Sequence, residues 1–245
     1  MSKKDVALLV AEAPWYTPDV NQGGASSIPF FEGVKKLINH RSTDSRFNMY
    51  QCNFYDTQSL EYALDHLTEA SEARQILYIG GHGDGQSVAE AMIDKVASAV
   101  ADRGGKVKGL ILSSCMAGSH NGLASAAEFG INNMLKEVRG PNWIIAYKHS
   151  VDWFASAMLE TSLVREFATA YMEGPLNSKC DIVATINLAL KLFDFNQCFG
   201  LDENKVDVSL RECIRVWVRP QGKEYAEDVT DELELFVIVP EDDEE

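Results

Sequence analysis

The sequence predicts an α/β fold, a mostly parallel central sheet between two helical layers, finished by a C-terminal strand pair. Three observations point there. Short apolar runs at 6–11, 76–79, 107–112 and 143–147 end in Gly, Ser or charged residues, as buried strands do. Segments with apolar residues spaced by three and four lie between them, and such alternation requires parallel pairing with right-handed crossovers. At 245 residues and 46% hydrophobic content, the chain can cover both faces of a sheet.

The run 6–11, closed by Glu12-Ala13-Pro14, predicts a central strand. A loop rich in Gly, Pro, Asn and Ser follows over 15–27, and Ser26 or Ser27 caps a helix with Pro29 in its first turn. Phe30, Phe31, Val34, Leu37 and Ile38 give that helix its apolar face. Residues 47–55 predict a second strand, and Thr57 or Ser59 opens a helix with Leu60, Ala63, Leu64 and Leu67 on one side. The third strand is QILYIGGHG, residues 75–83. Val88, Met92, Val96 and Val100, spaced by four, predict a helix over 87–101, stopped by Arg103-Gly104-Gly105. Strand 106–114, a helix over 124–138, strand 143–147 and an amphipathic helix over 153–171 complete the alternation. Beyond it, 181–195 predicts a helix, and strands at 211–218 and 233–239 can pair antiparallel at the sheet edge. Residues 1–175 are expected to be the core and 176–240 an extension of the same domain; 241–245 form an acidic tail.

Lys and Arg number 22 against 37 Asp and Glu, a formal charge of −15. Direct binding to nucleic acid is therefore not expected, and a basic partner or substrate fits better. Five cysteines without a C-x-x-C pair predict free thiols in a reducing, cytoplasmic setting. No run reaches the roughly 20 apolar residues of a membrane span. The histidines show no metal-ligand spacing and the glycines no dinucleotide fingerprint, so no cofactor or metal is expected.

The chemistry-bearing residues sit just past two strands. His82 follows Gly80-Gly81, and Cys115 follows Ser113-Ser114, the carboxyl-end station where open α/β sheets bind ligands. On neighbouring strands, roughly 5 Å apart, imidazole and thiol can exchange a proton, and the thiolate is the nucleophilic form. The amides of Gly83 and Cys115 are candidate oxyanion donors; removing one such donor typically costs about 3 to 4 kcal/mol of barrier. A lone strand-end cysteine is usually an inert core residue. The joint occurrence, each member before a Gly-bearing turn, favours a site for acyl transfer.

H-G after one strand and S-C-M-A-G after the next resemble the caspase-hemoglobinase group of cysteine peptidases over residues 6–171, most closely the bacterial CHAT type. The segment Ile144 to Asp152 is similar to the CHAT stretch entering a long helix, departing from it at His149 and Ser150, as the chain also does at Ala117. The resemblance implies a caspase-like three-layer sandwich with Cys115 as nucleophile and His82 as base and acid. It further implies a side-chain pocket at Glu12 or Asp19, Ser113 and Asp152, whose carboxylates favour cleavage after Arg or Lys. Asp152 reads equally as a helix cap. A protein or peptide substrate, an activating or companion effector protein and a setting in bacterial antiviral defence follow by analogy. A non-catalytic interaction module and a flavodoxin-like small-molecule binder are the competing readings.

Overall fold

The computed structural model describes residues 5–14, 26–42, 45–103, 105–131 and 137–234. Strand β1 (Val6–Glu12) is buried along its whole length. Its alternate side chains divide between two cores, because successive residues of a strand point to opposite faces. Val6, Leu8 and Val10 meet α1 (Ile28–Arg41) on one face; Ala7, Leu9 and Ala11 meet the second layer on the other.

Strand β2 (Phe47–Asn53), helix α2 (Thr57–Thr68) and strand β3 (Arg74–Gly80) follow in the expected order. Helix α2 opens at Thr57, as expected, and Asp56 caps it. Its carboxylate accepts from the Ser59 amide at 2.8 Å while the Ser59 hydroxyl accepts from the Asp56 amide, a reciprocal box.

The helix expected over 87–101 is shorter. A hairpin, β4 (Ser87–Val88) and β5 (Ala91–Met92), precedes α3 (Ile93–Asp102). The spacing by four persists, but Asp84 Oδ1 accepts from the amides of Gln86 and Ser87, and Gly85 takes φ +85°. That Asx-type turn consumes the donors a helix start would orient.

Strand β6 (Val107–Ser113) follows. The helix expected over 124–138 is absent: a 3₁₀ run (Asn121–Ala127) and the strands β7 (Phe129–Ile131) and β8 (Glu137–Arg139) stand in its place. Arg219 captures the Ala127 and Gly140 carbonyls, so tertiary bonds hold the backbone where an i+4 amide would have continued a helix.

Strands β9 (Trp143–Tyr147) and β10 (Ser150–Val151) lead into α4 (Trp153–Glu173), and α5 (Lys179–Leu190) ends five residues before the expected 195. The rest comprises β11 (Cys198–Leu201), β12 (Asp207–Ser209), α6 (Leu210–Cys213), β13 (Ile214–Val218) and β14 (Glu227–Asp228). Among the described residues β13 pairs antiparallel with β9 and with β14, while most of the strand expected at 233–239 lies outside them. Leu233 and Glu234 lie outside any strand, and 235–239 lie outside the described residues.

The main sheet runs β14-β13-β9-β6-β3-β1-β2. It is parallel from β2 to β9 and antiparallel at β13 and β14. Helices α1, α4 and α5 cover one face and α2 and α3 the other, the predicted three-layer α/β architecture. Trp143 stacks on Phe167 with centroids 3.9 Å apart, and Phe31 meets Tyr78 edge-on at 4.9 Å. Among the described residues no helix is long and apolar enough to cross a membrane, and all five cysteines are free.

Candidate active site

Strands β3 and β6 are hydrogen-bonded neighbours, with Gly80 opposite Ser113. The Gly81 amide donates to the Ser113 carbonyl at 3.1 Å and carries the register one step past the strands. His82 and Cys115 follow in the two turns that leave these strands at the carboxyl rim. His82 is exposed and Cys115 half-buried.

The two turns are packed into each other. A Cβ on Gly83 would collide with Ser114 Oγ and approach the Cys115 carbonyl to 2.8 Å, so only glycine fits. Met116, directly after the cysteine, adopts φ +60° and donates its amide to the His149 carbonyl at 3.1 Å. A non-glycine residue held there reports a turn fixed by its surroundings. Neither the Gly83 nor the Cys115 amide bonds to another described residue.

The β4–β5 hairpin supports the histidine: the Ala89 amide donates to the His82 carbonyl at 2.6 Å, and Gly83 bridges Val88. A cavity of about 480 Å³ beside His82 is lined by Ala13, Pro14, Tyr55, Asp56, Ala89 and Glu90. On the other side Ser150 Oγ lies 3.5 Å from Cys115 Sγ, within donor range of sulfur. β10 pairs with β11, so the C-terminal extension sets the position of that hydroxyl. Cys213 is fully buried, and burial pushes its thiol up to about 12. It is no rival nucleophile at neutral pH.

The remaining expected site residues fall into separate roles. Asp152 is exposed and caps α4, accepting from the Ala155 amide at 2.8 Å. Glu12 is buried at the end of β1 and accepts from Ser26 Oγ at 2.6 Å and the Ser27 amide at 2.9 Å, fixing the start of α1. Ser113 is buried on the same face of the sheet. Asp19 lies outside the described residues. His120 accepts from the Gly122 amide at 3.1 Å, and His149 contributes its carbonyl to the cysteine turn.

Sequence reasoning missed Glu160 and Ser150. Glu160, on α4, is fully buried; Tyr147 donates to its Oε1 at 3.0 Å, and Oε2 has no partner among the described residues. Burial raises its carboxyl to about 8, opposed by the nearby hydroxyls of Ser113, Tyr147 and Tyr78 and helped by the Glu12 charge. Glu160, Tyr147, Tyr78, Ser113, Ser27 and Glu12 thus form one polar island under the carboxyl rim. Its sequence signal was a charged residue inside the apolar stripe of a helix. Ser150 carried no local signal.

No protein-family model matches the chain, and no curated protein matches it. Among solved structures the chain is similar to the crystal structure of the Arg-specific cysteine proteinase gingipain R, at 11% identity and a TM-score of 0.45. The match covers 78% of this chain and 42% of that one, so the chain spans less than half the length of that proteinase.

Proposed function

We propose that the chain is a cysteine endopeptidase in which Cys115 is the nucleophile and His82 the proton carrier. The observation that supports this reading is that β3 and β6 are neighbouring parallel strands and that the turns after them, at Gly83 and at Ser114-Cys115, are in contact. In the proposed reaction Cys115 Sγ attacks the peptide carbonyl, and the oxyanion lies against the Gly83 and Cys115 amides. His82 passes a proton to the departing amine, and the C–N bond breaks to leave a thioester. Water, deprotonated by His82, then frees the acid and restores the thiol.

Preference for Arg or Lys before the cut is supported by Glu12 at the carboxyl end of β1 and by the net charge of −15. Asp152, engaged as a cap, contributes less to that preference than its position in the sequence suggests.

The test is labelling with an acyloxymethyl ketone carrying Arg or Lys, followed by mass spectrometry of the modified peptide. Attachment at Cys115 that is lost in His82→Ala supports the reading. A Cys115 no more reactive than a free thiol, even toward iodoacetamide, sinks it and leaves the interaction module. Faster labelling by Asp or Asn probes would overturn the basic preference alone.

A further inference from the structure

The opposite, amino-terminal rim of the sheet holds a second concavity. It has a volume of about 370 Å³ and lies among the starts of β3, β6 and β9, the end of α4 and the turn after β13. Four cationic side chains line it, Arg74, Lys108, Arg219 and Lys223, against one carboxylate, Glu224. In a chain with 37 acids and 22 bases, a random cavity lining would be net negative. This one is net positive by three, since four positive and one negative groups face it.

Three of the four cations donate to backbone carbonyls. Arg219 is buried and donates to the carbonyls of Ala127, Gly140 and Lys223; Arg74 donates to the Tyr171 carbonyl, and Lys108 Nζ to that of Gly105. Carbonyls fix the geometry of a cation while leaving its charge in place. Arg74 and Lys223 pair with no carboxylate among the described residues. At the mouth, Gly105 and Gly222 adopt φ +98° and +85°, and nothing lies within 4 Å of where their Cβ atoms would be, so backbone is open to close approach.

We propose that this cavity binds a small phosphate-bearing anion. Its volume suits a compact ligand, the guanidinium fork of Arg74 matches phosphate oxygens, and polar side chains such as Asn142 supply neutral donors. An extended polyanion such as a nucleic acid is disfavoured, because it would run over a surface of charge −15, whereas a small ligand sits where that field is screened and locally reversed. The site is independent of the protease reading, being at the far end of seven-residue strands, about 20 Å away.

The experiment measures binding of pyrophosphate by calorimetry and the shift in melting temperature, in the wild type and in Cys115→Ala. Sodium chloride at matched ionic strength controls for screening, and citrate for polycarboxylates. Saturable binding of pyrophosphate is expected, weakened at least about tenfold by Arg74→Gln and by the exposed Lys223→Gln, and unchanged by Lys36→Gln on the exposed face of α1. A melting shift reproduced by chloride, binding equal in all variants, or tighter binding of citrate than of pyrophosphate would overturn the proposal. Should Arg74→Gln fail to fold, Lys223→Gln decides alone.

Discussion

The two rims of the central sheet have opposite chemical characters. The carboxyl rim gathers acids, a thiol and an imidazole: Glu12, Asp56, Asp84, Asp152, Cys115 and His82. The amino rim gathers cations, with Arg74 bonded to a carbonyl in the last turn of α4 and Arg103 to the Ala99 carbonyl in the last turn of α3. In a parallel sheet with crossover helices this division has a common cause. Helices start at the carboxyl rim, presenting unpaired amides and the positive end of the dipole, and finish at the amino rim, presenting carbonyls and the negative end. Asp56 and Asp152 cap α2 and α4 for that reason, and Glu12 holds the Ser27 amide at the start of α1. One rim is suited to developing negative charge, the other to holding cations.

The sharpest way to break this contrast is to remove the proposed reacting pair. Cys115→Ala or His82→Ala should lower peptide hydrolysis by about a thousandfold or more without changing the circular dichroism spectrum. Gly83→Ala comes next. Its methyl group has no room against Ser114, so acyl transfer should fall by about a hundredfold, with the loss in kcat rather than KM.

Glu160→Gln acts through pH. The carboxyl titrates at about 8 in the fold and near its ordinary 4.5 when unfolded, so the folded state binds the extra proton between those values. Stability from this group is complete below pH 4.5 and is lost as pH rises toward 8. Denaturant midpoints of the wild type should therefore fall across that window by more than those of Glu160→Gln. Equal slopes would remove the acid island from the account.

Two smaller effects separate neighbouring roles. Asp152→Ala should cost about 1 kcal/mol in urea unfolding, the worth of a helix cap, with little change in the ratio of Arg to Asp substrate cleavage. Ser150→Ala should slow iodoacetamide labelling of Cys115 only severalfold, because it removes one weak hydroxyl contact to sulfur.

Four of the five parallel strands, β1, β3, β6 and β9, were legible because each is an apolar run buried on both sides, whereas the edge strand β2 is largely polar and half-exposed. The positions of His82 and Cys115 just past two strands were legible for the same reason, since the apolar runs mark where those strands end. Residues 87–92 were misread because Val88 and Met92 satisfy a helical spacing while Asp84 and Gly85 build a turn that overrides it. Residues 121–139 were misread because the group that ends the 3₁₀ run is the guanidinium of Arg219, 92 positions from Ala127.

The sequence by itself determined the alternation of strands and helices, the two buried faces and the strand ends after which a thiol and an imidazole emerge, because local hydrophobic period is a property of contiguous residues; the strand order came from the fold. Only the tertiary structure decided that Ser150 reaches Cys115, that Glu160 is sealed beneath Tyr147, and that Arg74, Lys108, Arg219 and Lys223 share one cavity. Those meetings join residues far apart in the chain, and what brings them together is the packing of α4 and β13 against the sheet.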